Sequence, residues 1–368
     1  MKVLLLGEYS NVHATLAQGL RALGHEVTVA SNGDFWKNYP RDIDLRREGG
    51  FRGKLSFFWR LLKALPKMRG YDVVQFINPM FLELKEARLS LIYRYLRRYN
   101  RKVVLGAYGM DYYWVTVNDT LMPLRYSDFN IGKQLRHDDV AEADRRDWTG
   151  TSKQRLNKMM ARDCEAIVAG LYEYKAIYDA VPELAPKTTY IPYPVKPLDP
   201  PPTITDRRGR LRIFIGISRG RSAYKGTDIM LRAVREVERR HPDKMEVIVA
   251  EGLPFAQYQR AMDNADVILD QLYGYTPAMN ALLAMSKGIV VVGGGEPENY
   301  SILGEETLRP IANVQPSYES CVTEIEHLVL HPDEVTRMKR ESVIYIERHH
   351  HYLKVAQRYA DLYCSILE

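Results

Sequence analysis

At 368 residues the chain exceeds the roughly 250–300 over which one hydrophobic core grows, so two domains are expected. A 46% hydrophobic and 27% charged composition is that of a soluble globular protein, and no apolar run reaches the roughly 18–20 residues that cross a bilayer. The net charge of +6 suits an anionic ligand or a membrane surface, while the lack of aromatic–basic interleaving sets nucleic acid aside.

Three dispersed cysteines, Cys164, Cys321 and Cys364, have neither metal-ligand spacing nor a disulfide framework, which implies a reduced, cytoplasmic chain. Val3-Leu4-Leu5-Leu6 is too short for a signal peptide and reads as the first buried strand. Lys2 to Leu6, a helix over His13 to Leu23 and a strand over Glu26 to Ala30 form a β-α-β opening, which predicts a parallel sheet. Val73 to Ile77, Val103 to Leu105 and Ala166 to Ala169 continue the strands, with helices over Gly53 to Leu65 and Glu86 to Tyr99. From Asp111 to Thr151 the sequence is polar and aromatic without a clear period, as for loops and short helices.

Ile191 to Pro202 carries too many prolines for a helix interior or a central strand and reads as a semi-rigid linker. Strand and helix then alternate: Leu211–Ile217, Asp228–Arg240, Met245–Ala250, Phe255–Asn264, Val267–Asp270, Ala278–Ser286 and Ile289–Val292. Helices over Tyr318 to Leu330, Pro332 to Ile346 and Tyr352 to Leu367 finish the chain.

The strongest candidate site follows the Leu211 strand. Arg219, Arg221 and Lys225 lie within seven positions, between a strand and a helix opened by Thr227-Asp228. Their mutual repulsion is relieved by an anion, and helix-start amides attract phosphate. Thr276 suits an N-cap and Pro277 the first helical position, which offers a second set of amides to a diphosphate. Asn280, one turn on, is either a hydroxyl ligand or a buried, partnered amide. Asp111 stands past the end of a strand, where ligands bind in open α/β sheets, or is a plain turn aspartate. His13 at a helix start is a substrate ligand or base, or is held by the local backbone.

Weaker signals remain. Asp42-Ile43-Asp44 has the form of a D-x-D metal motif in an exposed stretch, and His349-His350-His351 point in different directions on a helix; neither is a convincing metal site. Gly7 to His13 lacks the G-x-G-x-x-G of a dinucleotide fold. The basic amphipathic segment Phe51 to Arg69 either rests on an anionic membrane or packs on the sheet with its cations snorkelling outward.

Several of these motifs are shared with one family. Arg221 to Lys225-Gly226 resembles a G-R-L…K-G diphosphate loop, Leu283-Ala284-Met285-Ser286-Lys287-Gly288 an E-A-M-A-x-G helix, and Gly294-Gly295-Glu296-Pro297-Glu298 a G-G-x-P-E turn. Tyr190-Ile191-Pro192 is similar to V-I-P-N and Gly109-Met110-Asp111 to G-S-D. The chain resembles the retaining GT-B glycosyltransferases of family 4. The resemblance implies two Rossmann-like parallel-sheet α/β domains facing across a cleft: an acceptor-side domain over 1–192, a linker over 193–210, a nucleotide-sugar domain over 211–346, and a helix over 347–368 returning to the first domain.

It further implies transfer from a nucleotide-diphosphate sugar to a saccharide or lipid-linked acceptor, with no metal and no cofactor; peripheral membrane contact is an option raised by the Phe51 to Arg69 segment. Lys225, Arg221, Arg219, His13 and Asp111 would be the catalytic set. Gly252, Tyr275, Thr276, Asn280, Glu296 and Glu298 would bind the donor. One departure stands out: the family's E-x7-E pair falls on Tyr275 and Leu283, so Asn280 or Glu298 would substitute. A catalytically degenerate sugar-nucleotide binder, or an epimerase or hydrolase on the same fold, is the alternative.

Overall fold

The structure, a computed structural model, describes residues 1–204, 209–217, 220 and 222–368. The chain begins with β1 (Lys2–Leu6), α1 (Val12–Ala22), β2 (Glu26–Ser31), β3 (Ile43–Asp44), α2 (Gly50–Ala64), β4 (Val73–Phe76), α3 (Glu86–Tyr99), β5 (Lys102–Ala107) and α4 (Tyr112–Thr120). A hairpin of β6 (Asn130–Ile131) and β7 (Gln134–Leu135) follows, then α5 (Asp139–Trp148), α6 (Ser152–Asp163), β8 (Ala166–Ala169), α7 (Tyr172–Asp179) and β9 (Thr188–Tyr190). Next come β10 (Leu211–Ile217), α8 (Ser222–Lys225), α9 (Thr227–Arg240), β11 (Met245–Glu251), α10 (Phe255–Asp263), β12 (Val267–Leu269) and α11 (Met279–Ser286). The chain ends with β13 (Val290–Gly293), α12 (Pro297–Leu303), β14 (Ile311–Asn313), α13 (Tyr318–Leu330), α14 (Pro332–Tyr345) and α15 (Tyr352–Leu367).

These elements form two compact units. One comprises Met1–Pro123, Glu142–Pro194 and Tyr352–Glu368, the other Leu124–Ala141 and Val195–His351. The first unit is built on a seven-stranded parallel sheet in the order β3-β2-β1-β4-β5-β8-β9. Val3 to Leu6 of β1 are fully buried, as expected of a central parallel strand covered on both faces. Helix α15 lies on α1, where Gly19 permits the approach: a Cβ there would stand 2.6 Å from the Ala356 Cβ and from the Tyr352 carbonyl oxygen. Tyr363 donates to Gln75 Oε1 at 2.6 Å, and Tyr359 and Tyr108 share a 2.5 Å hydrogen bond, so the last helix is fastened to the sheet by buried phenols.

The second unit has a five-stranded parallel sheet in the order β11-β10-β12-β13-β14. Met230, Ala233, Val234 and Val237 of α9 recur at helical spacing and pack into its core with Ile213, Ile215, Val267 and Val290. The segment Leu124–Ala141, which contains the hairpin, belongs to this unit although the sequence around it belongs to the other.

Most expected elements are present within a residue or two at their ends, including the parallel strands and the last three helices. The helix expected from Thr276 and Pro277 is a correction. It starts at Met279, its N-cap is Ala278 without a side-chain cap, and Thr276 sits in the loop before it. Short strands β9 and β14 were not anticipated; three residues carry too little pattern.

Candidate functional site

In the second sheet β10 lies between β11 and β12, so the chain order reverses beside it. Ligands in open parallel sheets bind outside the carboxyl ends of the strands at such a reversal. The end of α8 meets the loop leaving β12 there, joined by a 2.8 Å hydrogen bond from the Leu272 N–H to the Lys225 carbonyl. Gly226 makes the junction possible. Its φ is +70°, and a Cβ would fall 2.6 Å from the Leu272 Cβ.

Lys225 is partly buried and forms no ion pair with any described residue. Directly after it the fourteen-residue α9 begins from Gly226 with no side-chain cap. The amides of its first turn therefore keep their affinity for an anion. Arg219 and Arg221 lie outside the described residues.

At the other loop Asp270 is buried and accepts from Asn280 Nδ2 at 2.9 Å. Tyr258 donates to Asn280 Oδ1 at 3.1 Å, so the Asn280 amide is the partnered group of the two readings, with one N–H left over. Gly216 in β10 gives Tyr258 its place, since a Cβ there would stand 2.6 Å from the phenol oxygen. Gly252, at the end of β11, has a φ of +65° and is exposed. Thr276 is buried, and its loop packs on the glycine turn after β13: a Cβ at Gly294 would lie 2.5 Å from the Gly274 oxygen and 3.0 Å from the Thr276 nitrogen.

Glu296 and Glu298 are already engaged. Arg125 donates to Glu296 Oε2 at 2.7 Å and forks onto both oxygens of Glu298. Glu296 is 3% exposed, and it also accepts from the Tyr126 hydroxyl at 2.6 Å, Asn313 Nδ2 at 3.1 Å and Gln315 Nε2 at 2.5 Å. Burial alone would raise its pKa, but these hydrogen bonds and the Arg125 charge outweigh burial and hold it below the usual carboxylate value. Tyr126 stacks on Tyr275 with ring centroids 4.6 Å apart, and its N–H donates to the Tyr275 hydroxyl at 3.2 Å. Arg136 of the same segment lies 4.0 Å over the Tyr273 ring and donates to the Ala223 carbonyl at 3.1 Å, beside the Lys225 turn. Sequence reasoning missed Arg125, Tyr126 and Arg136, which are remote in sequence from Glu296, Tyr275, Tyr273 and Ala223. Asp270 was legible as an acid at a strand end.

The first unit has its own reversal, between β1 and β4. A cavity of about 470 Å³ opens there, lined by Glu8, Tyr9, Asn32, Phe81, Glu83 and Lys153 among others. Glu8 is 3% exposed and accepts from the Ala14 N–H at 2.8 Å. Burial pushes its pKa up to about 7 although backbone hydrogen bonds pull the other way.

His13 is fully buried and does not line this cavity. Its Nδ1–H donates to the Gly7 carbonyl at 2.9 Å, and Nε2 accepts from Gln75 Nε2 at 3.2 Å. Burial lowers its pKa to about 3 against that backbone bond, so the ring is neutral and both nitrogens are occupied. The backbone-held reading describes it, and no free nitrogen remains for a base. Asp111 is likewise fully buried. It caps α4 by accepting from the Trp114 N–H at 2.8 Å and accepts from the Tyr178 hydroxyl at 2.7 Å. Burial raises its pKa to about 6 despite those bonds.

Asp42 accepts from Arg21 and the Val29 N–H, and Asp44 from Arg41 and the Arg46 N–H. His349 is paired with Glu305 at 2.7 Å. Among the described residues no group of three His, Cys, Asp or Glu side chains could hold a metal ion.

No protein-family model matches the chain, and no curated protein sequence matches it. Solved structures do. Anabaena HepE, in complex with UDP-glucose, superposes with a TM-score of 0.62 at 12% identity, over 99% of this chain and 100% of that one. Sucrose-phosphate synthase from Thermosynechococcus elongatus gives 0.61 at 13%, over 100% and 99%. The catalytic domain of starch synthase IV from Arabidopsis thaliana, bound to ADP and acarbose, gives 0.61 at 10%, over 100% and 99%. Two parallel-sheet α/β units of seven and five strands, matched along their whole length by these proteins, give the chain the GT-B fold.

Proposed function

We propose that the protein is a glycosyltransferase that moves a sugar from a nucleoside-diphosphate donor to an acceptor hydroxyl, with retention at the anomeric carbon and without a metal. The observation that carries this reading is the Lys225 ammonium, without an ion pair among the described residues, beside the uncapped start of α9 at the chain reversal of the second sheet. Departure of a nucleoside diphosphate places negative charge there, and fixed charges and amides stabilise it without reorganising. The ligands of the superposed structures, UDP-glucose in one and ADP in another, support a nucleotide as this chain's ligand. Arg219 and Arg221 would add charge by their place in the sequence. The cavity beside Glu8 would take a saccharide or lipid-linked acceptor, with Asn32 and Glu83 as hydroxyl partners. The test is a thermal-shift screen of nucleoside diphosphates, then product analysis with the stabilising donor in EDTA. No stabilisation by any nucleoside diphosphate would remove the reading, and loss of turnover in EDTA would remove its metal independence.

A degenerate sugar-nucleotide binder is favoured by one observation. Tyr275 and Leu283 stand where glutamates were expected, and Glu296 and Glu298 are both held by Arg125. Slow donor hydrolysis in the absence of acceptor would speak for the enzyme; tight binding without any turnover would speak for the binder.

A further inference from the structure

Helix α2 (Gly50–Ala64) has two apolar faces, and the core uses only one. Gly53, Phe57, Leu61 and Ala64 point inward and are buried. Phe51, Leu55, Phe58, Trp59 and Leu62 are 81%, 50%, 47%, 58% and 42% exposed. Phe51, Leu55, Phe58 and Leu62 follow one another at i, i+4, i+7 and i+11, with Trp59 alongside. They form one stripe, spanning roughly 100° of the helix at 3.6 residues per turn. This concentrates five large apolar side chains on fifteen residues, where a soluble surface scatters them singly.

The borders of the stripe are cationic. Lys54 lies along one edge, and Arg52 and Lys63 along the other. The helix contains no acidic residue, Glu48 before it being the nearest in sequence. Arg52, Lys54, Lys63 and Lys67 form no ion pair with any described residue. Arg60 is different; it is drawn toward Asp44 and the Arg46 carbonyl, away from the stripe. Past the helix end, Arg69 stacks over Tyr95 and Tyr99 of α3, 4.8 Å and 4.2 Å from their ring centres, adding amphipathic rings at the same end.

We infer that this face of α2 docks the protein on an anionic lipid bilayer, with the helix lying in the interfacial plane. A protein partner would need acidic groups placed against four separate lysines and arginines. An anionic lipid surface meets any such arrangement, because its charges are mobile and its interior accepts an aromatic stripe of any shape. No helix among the described residues is long and apolar enough to cross a membrane, so the contact is peripheral. The inference does not depend on the transfer reaction, and its test needs no donor.

The full chain is sedimented with vesicles of phosphatidylglycerol and phosphatidylcholine in equal parts, and with phosphatidylcholine alone. Co-sedimentation only with the anionic vesicles, weakened by salt, is expected. Lys54→Glu/Lys63→Glu should weaken partitioning by roughly thirtyfold or more, from about fivefold per removed cation near such a surface. Phe51→Ser/Phe58→Ser/Leu62→Ser should abolish it while circular dichroism stays that of the parent, all three being exposed. The charge variant keeps the test decisive if the apolar variant misfolds. The inference fails if the parent stays in solution, if it binds phosphatidylcholine alone equally well, if folded variants bind as the parent does, or if the stripe proves to join two copies of the chain.

Discussion

Glu296 offers the sharpest test of how the second unit is held together. Its Oε1 meets three donors, from Tyr126, Asn313 and Gln315, while Oε2 faces Arg125. Arg125→Ala removes the charge-assisted bond to Glu296, of a kind worth about 1.5–3 kcal/mol, together with the fork onto Glu298. The Arg125 side chain is 52% exposed, so water screens the pair and the expected loss falls to about 1–2 kcal/mol. Glu296→Gln keeps the shape but must turn its carbonyl toward the three donors. Its NH2 then meets the guanidinium, donor against donor, at a cost of about 1–3 kcal/mol. In the double variant that conflict disappears, so the two losses should fall short of additivity by about 1–2 kcal/mol. All four tryptophans, Trp36, Trp59, Trp114 and Trp148, lie in the first unit. Urea unfolding followed by circular dichroism should therefore carry the shift, with tryptophan fluorescence as the control for the other unit. Losses that add to within about 0.5 kcal/mol would refute the clamp.

Lys225→Ala should leave the melting temperature unchanged, since no described ion pair is lost, while turnover falls by about 10²–10³; near-parental kinetics would remove Lys225 from the site. Asn280→Ala strips a partner from buried Asp270 and should cost about 1–3 kcal/mol of stability in denaturant titrations; weakened donor binding with full stability would reverse that assignment. For Glu8, the folded state keeps a proton between pH 4.5 and about 7 that the unfolded chain has lost. Raising the pH through that window therefore lowers stability, by up to about 3 kcal/mol, and Glu8→Gln should flatten the slope relative to the parent. Parallel stability–pH curves for the two would show that Glu8 is ionised in the fold.

Local pattern carried much of the architecture. Val3 to Leu6 and Ile213 to Ile215 are apolar because central parallel strands are covered on both faces, and that requirement is written in consecutive residues. The same holds for the strand, loop and helix around Lys225, whose parts are neighbours in the chain. The N-terminal end of α11 was misplaced because Thr276 and Pro277 look like a helix start, whereas packing of that loop against the Gly294 turn keeps them outside it.

What sequence alone determined, then, was the pair of parallel α/β sheets and the cations that follow β10 in the chain. Both arise from periodicity and from residues a few positions apart. Tertiary structure decided the rest, where partners are remote. His13 is neutral and fully occupied because Gln75 and the Gly7 carbonyl close around it, and Asp111 is spent on capping α4 and on Tyr178. Glu296 and Glu298 are claimed by Arg125, more than 170 positions away in the chain. An amphipathic helix such as α2 has a hydrophobic pattern that says its residues are apolar. Which of them the sheet covers depends on the rotation at which the helix lands, and only the folded chain sets that angle.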